Sequence, residues 1–212
     1  ITDGEFRRSY WHLDFMWGLG GIERRTSRTG YMFHDEETTA DTAVVTGKVS
    51  GENHPFVDHF KFVKALEEDG QVARQTMPAP AQTYSEVILD RCDGQVESLR
   101  SVYADDESLI DDIAAAYRTV IADLYAAGCR SIQFDDCTWG IYCDRDFVAK
   151  TGMSPVDIQK VSEQLVAVNN AALEGKPADL AITTHVCRGN YHSTYAFEGG
   201  YDPVAPYLFA NE

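Results

Sequence analysis

Apolar residues fall at helical spacing in some stretches of this chain and alternate with polar ones in others. Leu109, Ile110, Ile113, Tyr117, Val120, Ile121 and Leu124 share one helical face, which predicts a helix over about 107–127 closed by Gly128. Pro55 suits a first helical turn, and Phe56, Phe60 and Val63 behind it predict a helix ending near Gly70. Ser154 before Pro155 marks another start, with Ile158, Val161, Leu165 and Val168 on its apolar face and a stop before Gly175. Strands are expected at 1–5, at 72–77 (stopped by Pro78 and Pro80), at 131–135 and at 180–187. The stretch 31–50, with its β-branched run, reads as a hairpin inserted ahead of the Pro55 helix.

Strand–helix–strand alternation implies parallel strands with helices packed outside. Polar groups collect where these strands end: Asp3 and Glu5, then Asp135, then His185 and Cys187. That is the pattern of a (β/α)8 barrel mouth, the TIM type. A doubly wound sheet also binds ligands at strand carboxyl ends, but no glycine-rich phosphate loop follows any of these strands, so the barrel is preferred. No linker or low-complexity tract divides the chain, and a single α/β domain over 1–212 is expected. The expected strands are too few to close a barrel. The chain also opens at Ile1 without a Met, so it reads as an incomplete barrel.

The run from Ile182 to Asn190 holds the sharpest chemistry. Side chains alternate along a strand, so Thr183, His185 and Cys187 share a face. An imidazole and a thiolate together are half of a zinc site, although the spacing alone also fits a pair unrelated to metal. In 131–136, Ile132 and Phe134 belong under the helices, which turns Gln133 and Asp135 toward the barrel axis. A carboxylate there could hold an ammonium, orient a metal ligand or act as a base; the plain alternative is a loop or N-cap carboxylate, which suits the outward Asp136 better. Glu5, taken alone, reads as an ion-pair partner of Arg7 or Arg8. Trp11, His12, Phe15 and Trp17 form core or a pocket wall, and His12, His34, His54 and His59 read as structural. Cys137 and Cys143, flanking Trp139, are either soft ligands or buried free thiols.

Charge narrows the partners. With 34 acidic against 18 basic residues the net charge is -16, a field that repels phosphate backbones and anionic lipid; neither nucleic acid nor membrane is an expected partner. No apolar run approaches the ~18 residues of a membrane span, and the opening residues do not read as a signal peptide. The 5 cysteines are odd in number and without a disulfide framework, which predicts a reducing, cytoplasmic setting.

Taken in order, Asp3-Gly4-Glu5-Phe6-Arg7-Arg8 with Trp11-His12-Leu13-Asp14-Phe15, Pro78-Ala79-Pro80, Ile132-Gln133-Phe134-Asp135-Asp136 and His185-Val186-Cys187-Arg188-Gly189-Asn190 resemble the catalytic domain of the cobalamin-independent methionine synthase family. Its short single-barrel relatives, the methionine synthase II type, are the most similar. The resemblance implies a (β/α)8 barrel with zinc held in part by His185 and Cys187. It also implies catalytic, substrate-binding carboxylates, Glu5 and Asp135, on the amino group of homocysteine; Arg188 is a further contact for a carboxylate or the methyl donor. The implied reaction carries a methyl group from a methylfolate-like donor to the homocysteine thiol, with small molecules as the only partners. The family's remaining ligands, a Glu and a second Cys, lie on later strands, and the Glu is not assigned to Glu212. The family's late catalytic His and its N-terminal strand have no counterpart here, so half a metal site is expected. Other methyl donors or thiols stay open, as does a non-catalytic barrel that binds a small amino-acid ligand. A zinc hydrolase is disfavoured by the Cys donor.

Overall fold

In the computed structural model, which describes residues 1–211, the strand expected at 1–5 is a turn. Gly4 and Glu5 both have positive φ (61° and 60°), and Asp3 Oδ1 accepts a hydrogen bond from the Glu5 amide at 3.0 Å. Two successive left-handed residues end an extended run, and the Asp side chain rewards the turn locally. Only Ile1 keeps a strand-like pairing, its amine donating to the Val72 carbonyl and its own carbonyl accepting from the Arg74 amide at 2.8 Å.

A short helix, α1 (Leu13–Met16), leads into β1 (Gly20–Thr26). The small strands β2 (Met32–Phe33) and β3 (Glu36–Glu37) pair with each other, and β4 (Asp41–Ser50) returns antiparallel along β1 from Thr26↔Asp41 to Gly20↔Ser50. The ribbon therefore begins well before the hairpin expected over 31–50. β1 gave no apolar alternation because Ile22 is its one buried residue. The ribbon bulges at Gly21, where φ is +76° and a Cβ would lie 2.3 Å from the Lys48 carbonyl oxygen. Helix α2 (Pro55–Lys64) follows, capped by His54, and ends earlier than the Gly70 expected.

The second unit is a parallel sheet with helical cover. Strand β5 (Gln75–Pro78) feeds α3 (Pro80–Val87), α4 (Gln95–Val102) and the long α5 (Asp106–Ala126). Asp105 caps α5 by accepting from the Ser108 amide at 2.8 Å. Strand β6 (Ser131–Asp135) is followed by α6 (Thr138–Cys143), α7 (Arg145–Thr151) and α8 (Pro155–Leu173). The start of α8 is a capping box between Ser154 and Asp157 behind Pro155 at the first turn. Strand β7 (Ala181–His185) and α9 (Ala205–Asn211) complete the described elements.

The sheet order is β5-β6-β7, all parallel, with Pro78 beside Asp135 and Asp135 beside His185. Ile132 and Phe134 are fully buried beneath the helices; Phe134 meets Tyr117 edge-on with ring centroids 6.1 Å apart. Burying each such side chain stabilises the fold by about 2–3 kcal/mol. Leu109, Ile113, Tyr117, Val120 and Leu124 of α5 and Val168 of α8 close the same core. A smaller core of Ala81, Trp139, Leu165, Val204 and Leu208 lies at the carboxyl end of the sheet.

The architecture is mixed α/β, and its sheets are small and open. The expected barrel closure is not seen among the described residues: β7 is a sheet edge with most of its side chains exposed, and the turn at 4–5 removes one strand. Glu212 lies outside the described residues. No described helix is long and apolar enough to cross a membrane.

Candidate active site at the strand ends

Parallel strands bring their carboxyl ends together, so the polar termini of β5, β6 and β7 meet on one side of the molecule. Asp135 closes β6 and is mostly buried. Its Oδ1 accepts from Gln133 Nε2 at 2.8 Å, which confirms that these two side chains share the face opposite Ile132 and Phe134. Burial pushes the Asp135 carboxyl up to about 6, with the Glu5 carboxylate adding to the shift and His185 and Arg8 opposing it.

Glu5 comes to this site from the N-terminal turn, held by Arg8. The Arg8 side chain is almost fully buried and donates from Nη1 to Glu5 Oε1 (3.1 Å) and from Nη2 to the Thr76 carbonyl (3.0 Å) and Thr76 Oγ1 (2.9 Å). Thr76 Oγ1 donates to the same Glu5 oxygen at 3.1 Å, and Asp3 lies 3.6 Å from Arg8. The guanidinium also stacks 4.6 Å above the Phe56 ring. The Glu5–Arg8 ion pair is the one the sequence pattern offered as the plain alternative. It does not exclude a ligand role, because a carboxylate with one oxygen fixed can still accept from a bound ammonium. Arg8 and Thr76 themselves were missed as site residues. Thr76 carried no signal beyond lying in a strand, and Arg8 was visible only as a charge near Glu5.

His185 ends the edge strand β7 opposite Asp135, exposed, with half-buried Cys187 two residues on. The Cys187 sulfur lies 3.2 Å from Cys137 Sγ and accepts from the Gly189 amide at 3.5 Å. The hydrogen bond from Cys137 and the neighbouring His185 lower the Cys187 thiol from its ordinary range, while the same pairing and burial raise Cys137. Arg188 follows, its Nη1 on the Gly199 carbonyl and its guanidinium 4.9 Å from the Tyr201 ring centre. An open hollow beside the pair is lined by Val186, Cys187, Arg188, Phe197 and Tyr201, among others.

Asp136 lies on the helix side of the sheet, as the alternation required, and accepts from the first amide of α6 as a loop carboxylate at a helix start would; it is also fully buried. Its Oδ2 accepts from Trp139 Nε1 and Asn169 Nδ2, both at 3.0 Å, and its Oδ1 accepts from the Thr138 amide at 3.2 Å and the Thr138 hydroxyl. Its own amide donates to the His185 carbonyl at 2.9 Å. One residue thus links three elements, α6 and α8 through its carboxylate and the end of β7 through its amide.

The donor chemistry suits zinc in kind, since an imidazole and thiolates are what that ion prefers. Among the described residues no three His, Cys, Asp or Glu side chains are gathered tightly enough to hold a metal ion, so His185 and Cys187 fit as part of a ligand set. Of the other histidines, His12 is buried against the Tyr31 hydroxyl and His54 caps α2. His34 stacks on Tyr195 at the surface, and the partly buried His59 rests tilted against Phe56.

No protein-family profile matches the chain. Two Bacillus subtilis strain 168 proteins without an assigned function are similar to it. YxjH is 36% identical over 208 residues, 97% of this chain and 52% of YxjH. YxjG is 32% identical over 213 residues, 99% of this chain and 53% of YxjG. The chain spans about half the length of these curated relatives. Among solved structures, a candidate vitamin-B12-independent methionine synthase from Listeria monocytogenes is 34% identical with a TM-score of 0.68, over 99% of this chain and 52% of that one. A B12-independent methionine synthase from Shewanella sp. W3-18-1, solved with selenomethionine, has a TM-score of 0.61 at 22% identity, over 90% of this chain and 46% of that one, a likeness of fold alone.

Proposed function

We propose that this chain belongs to a zinc-dependent methyltransferase that moves a methyl group from a methylfolate-like donor to the thiol of homocysteine. It would be the part of a TIM-type (β/α)8 barrel that carries the amino-acid site and two metal ligands, working in a reducing, cytoplasmic setting. The observation that carries this reading is the pairing of Asp135 with His185 across adjacent strand ends, with Cys187 just beyond. Two carboxylates, Glu5 and Asp135, thereby lie on the same side of the sheet as a nitrogen–sulfur donor pair. The 34% identity to the Listeria candidate synthase, over nearly all of this chain, supports the same reading.

His185 and Cys187 would hold the zinc. Zinc, when bound, supplies the positive charge that keeps a coordinating thiol deprotonated near neutral pH. The protein's own contribution is position. Glu5 and Asp135 accept from the substrate ammonium; Arg8 and Thr76 fix Glu5 through Oε1, and Gln133 fixes Asp135 through Oδ1. Arg188 would take the substrate carboxylate or the donor after exchanging the Gly199 carbonyl for it. Holding thiol and methyl donor in line converts a bimolecular encounter into an oriented one, worth several kcal/mol of barrier on the order of effective-molarity effects.

Two results are expected. Protein made from the whole natural reading frame should hold about one zinc per chain by elemental analysis, and Cys187→Ser should lose it, because removing a thiolate takes away both charge and a preferred donor. A wild-type protein free of zinc would overturn the reading and leave a module that binds its ligand without metal. Asp135→Ala should raise KM for homocysteine roughly 10- to 100-fold, the weight of a charge-assisted hydrogen bond of about 1.5–3 kcal/mol, with zinc content unchanged. An unchanged KM would remove Asp135 from the amino-acid site.

A further inference from the structure

The Cys137–Cys187 pair has a chemistry that metal binding does not use. We infer that Cys137 and Cys187 form a reversible disulfide under hydroperoxide, making this end of the sheet a thiol modification site. The sulfurs lie 3.2 Å apart, against a bond length of about 2.05 Å, so closure needs only small side-chain rotations. The sheet brings the two segments together. Asp135 and His185 are the last register partners of adjacent parallel strands, about 4.8 Å apart in such a ladder, and each cysteine follows two residues beyond its strand end.

Both partners are held there. The Asp136 amide on the His185 carbonyl keeps the two chains together one residue before the cysteines, and the Thr138 and Trp139 bonds to Asp136 fix the turn that carries Cys137. From the other side α6 presses on the Cys187 backbone, where a Cβ on Gly140 would come within 3.0 Å of the Cys187 carbonyl oxygen. The hollow lined by Cys187 and Arg188 gives a small peroxide access to Cys187, the sulfur attacked first. The remaining cysteines point elsewhere: Cys129 donates to the Ser131 carbonyl, Cys143 to the Trp139 carbonyl and Cys92 to Gln95 Oε1.

The chemistry balances with one molecule of hydrogen peroxide. Cys187 sulfur attacks the peroxide, the O–O bond breaks, and one water leaves with a sulfenic acid on Cys187. Cys137 sulfur then displaces the hydroxyl, forming the S–S bond and releasing a second water. Sulfur loses two electrons in all and the peroxide gains them; a dithiol reductant reverses the step by exchange. If Cys187 is a zinc ligand, the disulfide withdraws it and the metal is released. That consequence rests on the proposed function, whereas the disulfide does not.

The test uses the full natural chain, reduced, stripped with a chelator and exposed to hydrogen peroxide, after which free thiols are alkylated and peptides mapped by mass spectrometry. A linked Cys137–Cys187 peptide that dithiothreitol separates is expected, with two free thiols lost per chain. Cys137→Ser should instead leave a sulfenic acid on Cys187 that dimedone traps, and Cys143→Ser should cross-link as the wild type does. Recovery of both cysteines alkylated, or Cys187 joined to another cysteine, overturns the inference. Zinc analysis of the untreated proteins separates the two readings. A zinc-free wild type that still cross-links defeats the metal assignment alone.

Discussion

Asp136→Ala is expected to destabilise the chain by roughly 3–5 kcal/mol, the range for removing one partner of a buried charged network. Asp136 is fully buried, and four donors converge on it, from the Thr138 amide and hydroxyl, Trp139 Nε1 and Asn169 Nδ2. Truncation leaves the buried Trp139 and Asn169 donors without an acceptor in a space that their own packing closes. Asp136→Asn should act in the same direction by a smaller amount. Either orientation of the amide turns an NH2 toward donors, so shape is kept while one set of bonds is lost. In urea the alanine variant should unfold about 1–2.5 M earlier than wild type, given a slope of about 2–3 kcal/mol per molar for a chain of this size. A midpoint within error of wild type would show that the network contributes no stability. The alanine variant should also loosen Cys137, because the turn that presents it hangs from the same carboxylate.

Acid should unfold the protein through two buried histidines. Burial lowers His12 to about 3, with Arg91 adding to the shift, and lowers His54 to about 4 against an ordinary value near 6.5. His54 shows why. Its Nδ1 accepts from the Phe56 amide at 3.2 Å and its Nε2 donates to the Phe15 carbonyl at 2.9 Å, so the partners require the neutral ring protonated at Nε2. A proton on Nδ1 would break the cap of α2. The unfolded chain binds protons below about 6.5 that the native state refuses, so this stability is complete above that pH and is lost as pH falls toward 4 and 3. Between pH 7 and 5 each histidine should account for roughly 2 kcal/mol of lost stability. Asp135, Asp136 and Glu86, whose carboxyls burial raises, act in the opposite direction as they take up protons. Asp135 alone does so near 6. Denaturant unfolding at a series of pH values should therefore show a steep decline in wild type and a shallower one in His54→Asn, which keeps an N-cap acceptor. Parallel curves for the two proteins would remove His54 from the acid response.

Local features of this fold were legible in the sequence because local chemistry determines them. Periodicity marked α5 and the Ser154–Pro155 start marked α8, both to within a residue or two, and strict alternation placed Ile132 and Phe134 under the helices and Gln133 with Asp135 on the far face. The three parallel strands were recognisable, Ser131–Asp135 at its expected bounds, whereas β5 starts three residues late and takes in Pro78 and β7 stops at His185 rather than Cys187. Signals failed where a long-range contact decided the outcome. β1 is an exposed, charged strand that exists because β4 pairs with it, so its residues carry little pattern of their own. The turn at Gly4 and Glu5 is held by Arg8 reaching Thr76, a residue distant in the chain, and no spacing rule anticipates that partner.

The same division holds at the site. By itself the sequence determined that Asp135 and His185 stand at strand ends with Cys187 just beyond, since alternation and the residues that stop a strand are properties of a few neighbouring side chains. Only the tertiary structure decided that Asp136 is a buried hub and that Cys137, fifty residues from Cys187 in sequence, lies against its sulfur. The reason is physical: parallel pairing aligns strand ends whatever the length of the intervening helices, and the side chains that then meet are chosen by register rather than by any local pattern.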